Sequence, residues 1–497
     1  MSEERPKNQR QLAFPTAQRG EAPGIVEGGT ESLAAERGTE SPAGTERLME
    51  EAVERENLKE ALRRVKANKG SPGVDGMTVH ALADHLKEHW PAIREQLLSG
   101  TYKPQPVRRV EIPKPDGGVR KLGIPTVLDR LIQQAVMQVL QRRWDRTFSE
   151  HSYGFRPRRS AHQAVAQAQQ YIAEGYRWVV DLDLEKFFDR VNHDKLMGQV
   201  AKRVTDKRVL KLLRAFLTAG VMENGLVSPV DEGTPQGGPL SPLLSNQVLD
   251  ELDRELERCG HRFVRYADDC NIYVRSERAG QRVMESVTRF ISQKLKLKVN
   301  SEKSAVARPE ARKFLAFSFT RNREPKRRIA PKAMARFKER VRELTRRTRG
   351  VSLEEMVADL SAYLRGWRGY FGFCQTPRVL MHLDSWIRRR LRSVVCQQWK
   401  RFGRRVKELQ KLGVSRAWAV RTASSGLGPW RLSHDPTICQ ALPNVFFDTL
   451  GLPRLAAGSS LHPPNRRVRT RTHGGVGGEG GQPLPLSRSH EPTREFI

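Results

Sequence analysis

The sequence is poor in the residues that build disulfide frameworks and zinc centres. Its 497 residues include only five Cys, at 259, 270, 374, 396 and 439, with no C-x-x-C spacing and no nearby His pair. That argues against a disulfide scaffold and a structural zinc site, and it fits a reducing cytoplasm. Long apolar runs are missing as well: none reaches the roughly 18 consecutive apolar residues that a membrane span needs. The first residues are polar and lack the apolar core of a secretory signal. Acids are scarce relative to bases, 56 Asp and Glu against 88 Lys and Arg, which leaves +32 at pH 7. A charge of that size and sign calls for a polyanionic partner, nucleic acid before any other. Hydrophobic residues make up 38% of the chain, lowish but sufficient at this length for two or three packed domains.

Against this basic background, acids occur inside two apolar strands. The run Phe263-Val264-Arg265-Tyr266-Ala267-Asp268-Asp269-Cys270-Asn271-Ile272-Tyr273-Val274 reads as strand, turn and strand, with two carboxylates at the tip. Upstream, Trp178-Val179-Val180-Asp181-Leu182-Asp183-Leu184 is a second such strand, and Asp181 and Asp183, two apart, project from one face. Carboxylates flanked by apolar strand cost desolvation energy that something must offset. Mg²⁺ suits them: it takes hard oxygens and keeps positions open for substrate phosphates. Two such ions a few Å apart are how polymerases transfer nucleotides. The plainer reading, two Asp-rich surface hairpins, is weakened by what lies between them: Gly233-Thr234-Pro235-Gln236-Gly237-Gly238-Pro239-Leu240-Ser241.

These motifs, in this order, resemble the reverse transcriptases encoded by bacterial group II introns, the intron-encoded maturases. The resemblance runs from about residue 45 to 455. It implies an α/β right-hand polymerase, fingers and palm, followed by an all-α basic thumb or maturase domain. The implied activity is RNA-directed DNA polymerase, with two Mg²⁺ ions and dNTPs, on an RNA template with a DNA primer. Intron RNA and target DNA are the further implied partners, and no membrane is involved.

Asp183, Asp268 and Asp269 become the catalytic and metal-binding acids. Asp183 is preferred to Asp181 because the family places an aromatic five residues after its catalytic Asp, and that position is Phe188. Phe188 is then the residue beneath the sugar, excluding a 2′-hydroxyl; the competing reading is an ordinary core Phe. Asp181 becomes a supporting acid. Residues 106–125 alternate as a hairpin turning at Asp116-Gly117-Gly118. By resemblance its tip closes on the incoming triphosphate through Lys114 and Arg120, although cations on a hairpin also suit a solvated face. Gln236 with its two glycines lies beneath the templating base. Lys303 is a candidate proton donor to pyrophosphate or else a surface Lys. Phe314 to Phe319 resembles a primer-grip strand. Arg156, Arg158 and Arg159, just ahead of the expected N-cap Ser160, read as a template contact or as a plain basic loop.

The last third is more basic still, with 13 Lys/Arg against three acids between Arg321 and Gly350. Apolar residues at helical spacing predict three amphipathic helices there, with Arg388, Arg389, Arg390 and Arg392 on the outward face; the resemblance implies RNA binding there through Arg388, Arg389 and Arg392. Tyr363 to Phe371 resembles the family's maturase segment. The organisation expected is a tail at 1–44, an N-terminal extension at 45–105, fingers and palm at 106–320, thumb helices at 321–412, a small DNA-binding module at 413–456 and a second tail at 457–497. No Cys/His endonuclease pattern appears, as in the family's shorter lineage. Rival readings are a retron or diversity-generating reverse transcriptase, and a maturase-only splicing factor with a decayed polymerase. The long extension and thumb argue against the first rival, and the intact acids against the second.

Overall fold

A computed structural model describes residues 44–113, 118–223, 226–229, 232–234 and 237–456. The two expected tails, Lys114 and Gln236, and the side chain of Arg120, lie outside the described residues. The described chain has ten strands: β1 (Val107–Pro113), β2 (Val119–Ile124), β3 (Trp178–Leu182), β4 (Val221–Glu223), β5 (Leu226–Ser228), β6 (Arg262–Tyr266), β7 (Asp269–Val274), β8 (Ala305–Ala307), β9 (Phe317–Phe319) and β10 (Arg327–Ile329). It divides into two compact units. One comprises residues up to 159, 184–260 and 287–300, and the other residues 160–183, 261–286 and 301 onward.

The first unit carries the sheet β2-β1-β4-β5. The expected hairpin is there, with Arg108 opposite Ile124 and Pro113 opposite Val119. Its return strand leads into the helix Val127–Trp144, capped by Thr126, whose hydroxyl accepts from the Asp129 amide at 3.0 Å. Asp129 is buried and fully engaged: it accepts from Thr126 Oγ1 at 2.7 Å, the Tyr102 hydroxyl at 2.9 Å and the Gln105 amide at 3.1 Å. The segment that opens the described chain forms two helices, Leu48–Ala52 and Arg55–Ala67, rather than one continuous helix. The cause is Asn57, a buried amide that donates to the Ala52 carbonyl at 2.9 Å and the Ala135 carbonyl at 3.1 Å. It ends the first helix and ties the pair to the helix Val127–Trp144.

The second unit is built on an antiparallel sheet, β6-β7-β3-β8, with the helix Ala161–Ala173 against it. Ser160 and Gln163 close a reciprocal capping box on that helix. Beyond the β9–β10 ribbon come the three expected helices, Pro331–Leu344, Leu353–Phe371 and Pro377–Gln398. Phe337, Val341, Val357, Leu360, Leu364, Ile387 and Leu391 form their core. The five short helices from Phe402 to Thr449 bury Leu409, Leu432, Ile438 and Phe447 in the same core, so residues 413–456 pack as a continuation of the helical bundle. No helix among the described residues is long and apolar enough to cross a membrane.

Candidate active site

β3 runs between β7 and β8, and its register brings the acids together. Leu182 pairs with Cys270, so the next step sets Asp183 level with Asp269 where β7 begins. Tyr266 pairs with Asp269 across the hairpin, which leaves Ala267 and Asp268 as a two-residue turn. Ala267 adopts a left-handed φ of 57°, a conformation that costs a non-glycine residue roughly 1 kcal/mol or more. A group that sequence reasoning missed supports it. Arg265, fully buried, donates from Nη1 to the Ala267 carbonyl at 2.9 Å. An arginine in the middle of an apolar strand was the available signal, since a buried guanidinium must find partners.

Burial and mutual repulsion set the electrostatics of the cluster. The Asp269 carboxyl is pushed up to about 7, first by the atoms packed around it and then by the charges of Asp268, Asp181 and Asp183. Water still reaches Asp269, which tempers the first cause. The second, three further acids around one point, is what a bound cation would relieve. Asp181 has close partners. Arg312 holds its Oδ2 with Nη2 at 2.6 Å and Nε at 2.7 Å, and the Asn271 amide, with its nitrogen turned inward, reaches Oδ1 at 3.0 Å. Arg312 also donates to the Lys303 carbonyl, tying β3 to the segment that leads into β8. Asp183 keeps its side chain one-third exposed at the strand end, while its amide donates to Ser304 Oγ at 3.0 Å. Lys303 places its ammonium 3.8 Å from Asp183 Oδ2.

Do these residues fit the magnesium implied by their pattern? Among the described residues no group of three or more His, Cys, Asp or Glu is gathered as a ready cage. Magnesium in phosphoryl-transfer sites takes one or two carboxylates and fills the rest of its shell with water and substrate phosphates. Hard-oxygen donors in mutual repulsion, with Asp183 open to solvent, meet that requirement.

The remaining candidates divide clearly. Phe187 is the core residue of its pair, and Phe188 stays half-buried against it, ring centroids 5.3 Å apart. The Phe188 carbonyl accepts from the Thr234 amide at 2.6 Å, and a side chain on Gly233, at φ 92°, would stand 2.9 Å from that carbonyl oxygen. The Gly-Thr that opens the glycine-rich loop thus buttresses Phe188. Gly237, at φ 137°, is needed for close approach, since an added Cβ would lie 2.6 Å from the Gly123 carbonyl oxygen; at Gly238 a Cβ would meet the end of the Gln133 side chain at 2.3 Å. The supposed primer-grip strand is not continuous. Phe314 and Phe317 exchange backbone hydrogen bonds of 2.8 and 2.9 Å around a tight turn, with Leu315 and Ala316 both at positive φ. The Tyr370 hydroxyl pins that turn, donating to the Leu315 carbonyl at 2.8 Å.

Two arginines expected to meet nucleic acid are committed elsewhere. Arg156 has a side chain only 6% exposed; it pairs with Asp145 at 2.8 Å and donates to the Ser149 and Ser152 carbonyls. Its neighbour Arg158 is exposed, and Arg159 lies over the Tyr153 ring. Arg388, expected on the outer face, is 2% exposed and bridges Asp384 at 3.3 Å and Asp448 at 2.6 Å. A helix periodicity that counts Arg as outward cannot register Asp448, which arrives from sixty positions away. Arg392 is half-buried and donates to the Leu442 carbonyl at 2.7 Å, while Arg389 stacks on Trp430 at 4.2 Å.

Comparison with known proteins places these features. Residues 112–319 match the reverse transcriptase (RNA-dependent DNA polymerase) family, and residues 334–413 match the group II intron maturase-specific domain. Protein YkfC of Escherichia coli (strain K12) is 40% identical over 230 residues, covering 45% of this chain and 60% of that protein. The group II intron-encoded protein LtrA of Lactococcus lactis subsp. cremoris is 31% identical over 311 residues, 50% of this chain and 52% of LtrA. The chain therefore spans between half and two thirds of the length of these relatives. A solved partial Cas6-RT-Cas1–Cas2 complex is 22% identical, with a TM-score of 0.33, over 50% of this chain and 42% of that one. The chain thus joins a reverse transcriptase domain of mixed α/β structure to a helical domain of the group II intron maturase-specific family, and it is similar to the group II intron-encoded protein LtrA.

Proposed function

We propose that this protein is the RNA-directed DNA polymerase of a group II intron, and that it also binds its intron RNA to promote splicing and mobility. The observation that carries the reading is the set of acids at the end of β3 and the β6–β7 turn, with Asp269 driven up to about 7 by burial and then by the charges of Asp268, Asp181 and Asp183. Asp183 and Asp268 are the residues that would hold magnesium, with Asp269 in support. Magnesium bound there would neutralise charge developing on the transferring phosphate and on the pyrophosphate. The protein's own part is positioning. Lys303 holds an ammonium proton beside Asp183, within reach of a departing phosphate oxygen. Phe188, fixed through its carbonyl by Thr234, presents a ring that excludes a ribose 2′-hydroxyl. Lys114, Arg120 and Gln236 complete the nucleotide site in this reading, and the exposed Arg158 with Arg159 guides the template. Residues 106–320 act as fingers and palm, and residues 321–412 as the RNA-binding thumb.

The test is primer extension by the purified protein on an RNA template, with dNTPs and magnesium, beside splicing of the intron RNA at low magnesium. DNA synthesis that chelator abolishes, together with faster splicing, is expected. Faster splicing with no synthesis on any template would instead favour a maturase-only protein.

A further inference from the structure

Away from the acids, the helical bundle holds a concave pocket of about 290 Å³, lined by Arg342, Arg346, Arg347 and Arg390 and by the indole of Trp430. No acid is among its lining residues. Glu343, next to Arg342 in sequence, is taken up by Arg340 at 2.7 Å. Arg390 is held in place: its Nε donates to Thr345 Oγ1 at 2.7 Å, and its Nη2 reaches the Thr345 and Arg342 carbonyls at 3.4 and 3.5 Å. Those carbonyls close the C-terminal end of the helix Pro331–Leu344, where acceptors lack helical partners. Arg342 and Arg390 both lie over the Trp386 ring, at 5.9 and 5.4 Å. Burial, and then the charges of Arg342 and Arg347, hold the Arg390 guanidinium below its ordinary value. The cluster repels itself, and an anion would relieve it. Arg346 and Arg347 are exposed, so an anion can reach them. Beside the cations, Trp430 carries the Arg389 guanidinium on its ring at 4.2 Å and is still 38% exposed.

Forked guanidinium donors suit phosphate oxygens, and an accessible indole suits a nucleobase. An inorganic anion would use the arginines and leave the indole idle. A duplex keeps its bases stacked on one another and offers none to a pocket wall. We infer that this pocket binds one unpaired nucleotide of a single-stranded nucleic acid, its phosphate among the four arginines and its base against Trp430. The inference rests on the reading of the chain as a nucleic-acid-handling protein and adds a site to it.

The test uses the full chain, without magnesium or dNTPs, and a labelled single-stranded RNA oligonucleotide, the same sequence as DNA, its duplex, and inorganic phosphate as competitor. Trp430→Ala is expected to weaken single-strand binding by about tenfold and duplex binding much less, and Trp430→Phe to restore most of the loss. Arg346→Gln with Arg347→Gln is expected to flatten the salt dependence of single-strand affinity by about 1.4 in logarithmic slope, two contacts at roughly 0.7 each. Equal losses on single strand and duplex, or no loss in either variant, would overturn the site. So would phosphate competing fully with a binding that Trp430→Ala leaves untouched. Comparing RNA with DNA shows whether the sugar is read. Since nothing is polymerised, a failed pocket cannot be confused with a failed polymerase.

Discussion

Asp269 is the residue whose chemistry is most exposed to experiment. Its carboxyl is raised to about 7, so between roughly pH 4 and 7 the folded protein holds a proton there that the unfolded chain has lost. Without metal, this group therefore favours the folded state at the acid end of that window, and its contribution falls as pH rises toward 7. Magnesium needs the deprotonated form. It is expected to raise the melting temperature more at pH 7.5 than at pH 5.5, and scanning calorimetry at the two pH values checks this. Equal shifts would remove Asp269 from the cation site. Arg265 acts one step behind. Arg265→Leu strips the Ala267 carbonyl of its buried donor, an expected cost of about 1–3 kcal/mol in urea unfolding. It should also weaken the apparent magnesium affinity of primer extension; Arg265→Lys should recover part of both. The acids were legible in the sequence because their spacing on a strand is local. The part played by Arg265 was not, because which buried carbonyl an arginine meets depends on a turn conformation that no spacing records.

At the scale of elements, the tight turn from Phe314 to Phe317 shows why the grip segment was misread as one strand. Apolar residues at 315, 317 and 319 alternate as a strand should, yet Leu315 and Ala316 both take positive φ, which their residue types disfavour. The conformation is imposed from outside, by the Tyr370 hydroxyl on one carbonyl and the Ala330 amide on the next. Tyr370→Phe removes one of those holds. The expected result is a rise of roughly fivefold in the primer–template KM, about 1 kcal/mol, with kcat little changed; an unchanged KM would separate the turn from the primer. The helix Pro377–Gln398 makes the complementary point. Its existence and part of its apolar stripe, Leu383, Leu391 and Val394, follow from period alone, while Arg388, on what looked like the polar side, sits buried between Asp384 and Asp448. Arg388→Ala should cost about 1–3 kcal/mol by removing a buried guanidinium that ties Asp384 to Asp448, since both acids keep other partners, Arg454 for Asp448 and the Leu455 and Ala456 amides for Asp384. Melting curves, read before any RNA-binding assay, distinguish this from loss of an RNA contact.

For the whole molecule, the excess of 32 positive charges needs a polyanion, and the acids at the β6–β7 turn stand out against it as the place where cations are wanted. Class and order of motifs were readable end to end, because charge, period and glycine loops are carried by neighbouring residues. The partners of the interior arginines were not, since they depend on turn conformations and, for Asp448, on packing from a distant part of the chain. The central claim is that Asp183 and Asp268 run nucleotide transfer while RNA recognition lies elsewhere. The direct measurement is RNA-templated primer extension by Asp183→Asn and Asp268→Asn beside Asp181→Asn, with intron-RNA affinity measured on each. Extension is expected to fall at least a thousandfold, about 4 kcal/mol in barrier, in the first two, with a smaller loss in the third and RNA affinity retained in all. Near-normal extension by Asp183→Asn, with the larger loss in Asp181→Asn, would contradict it.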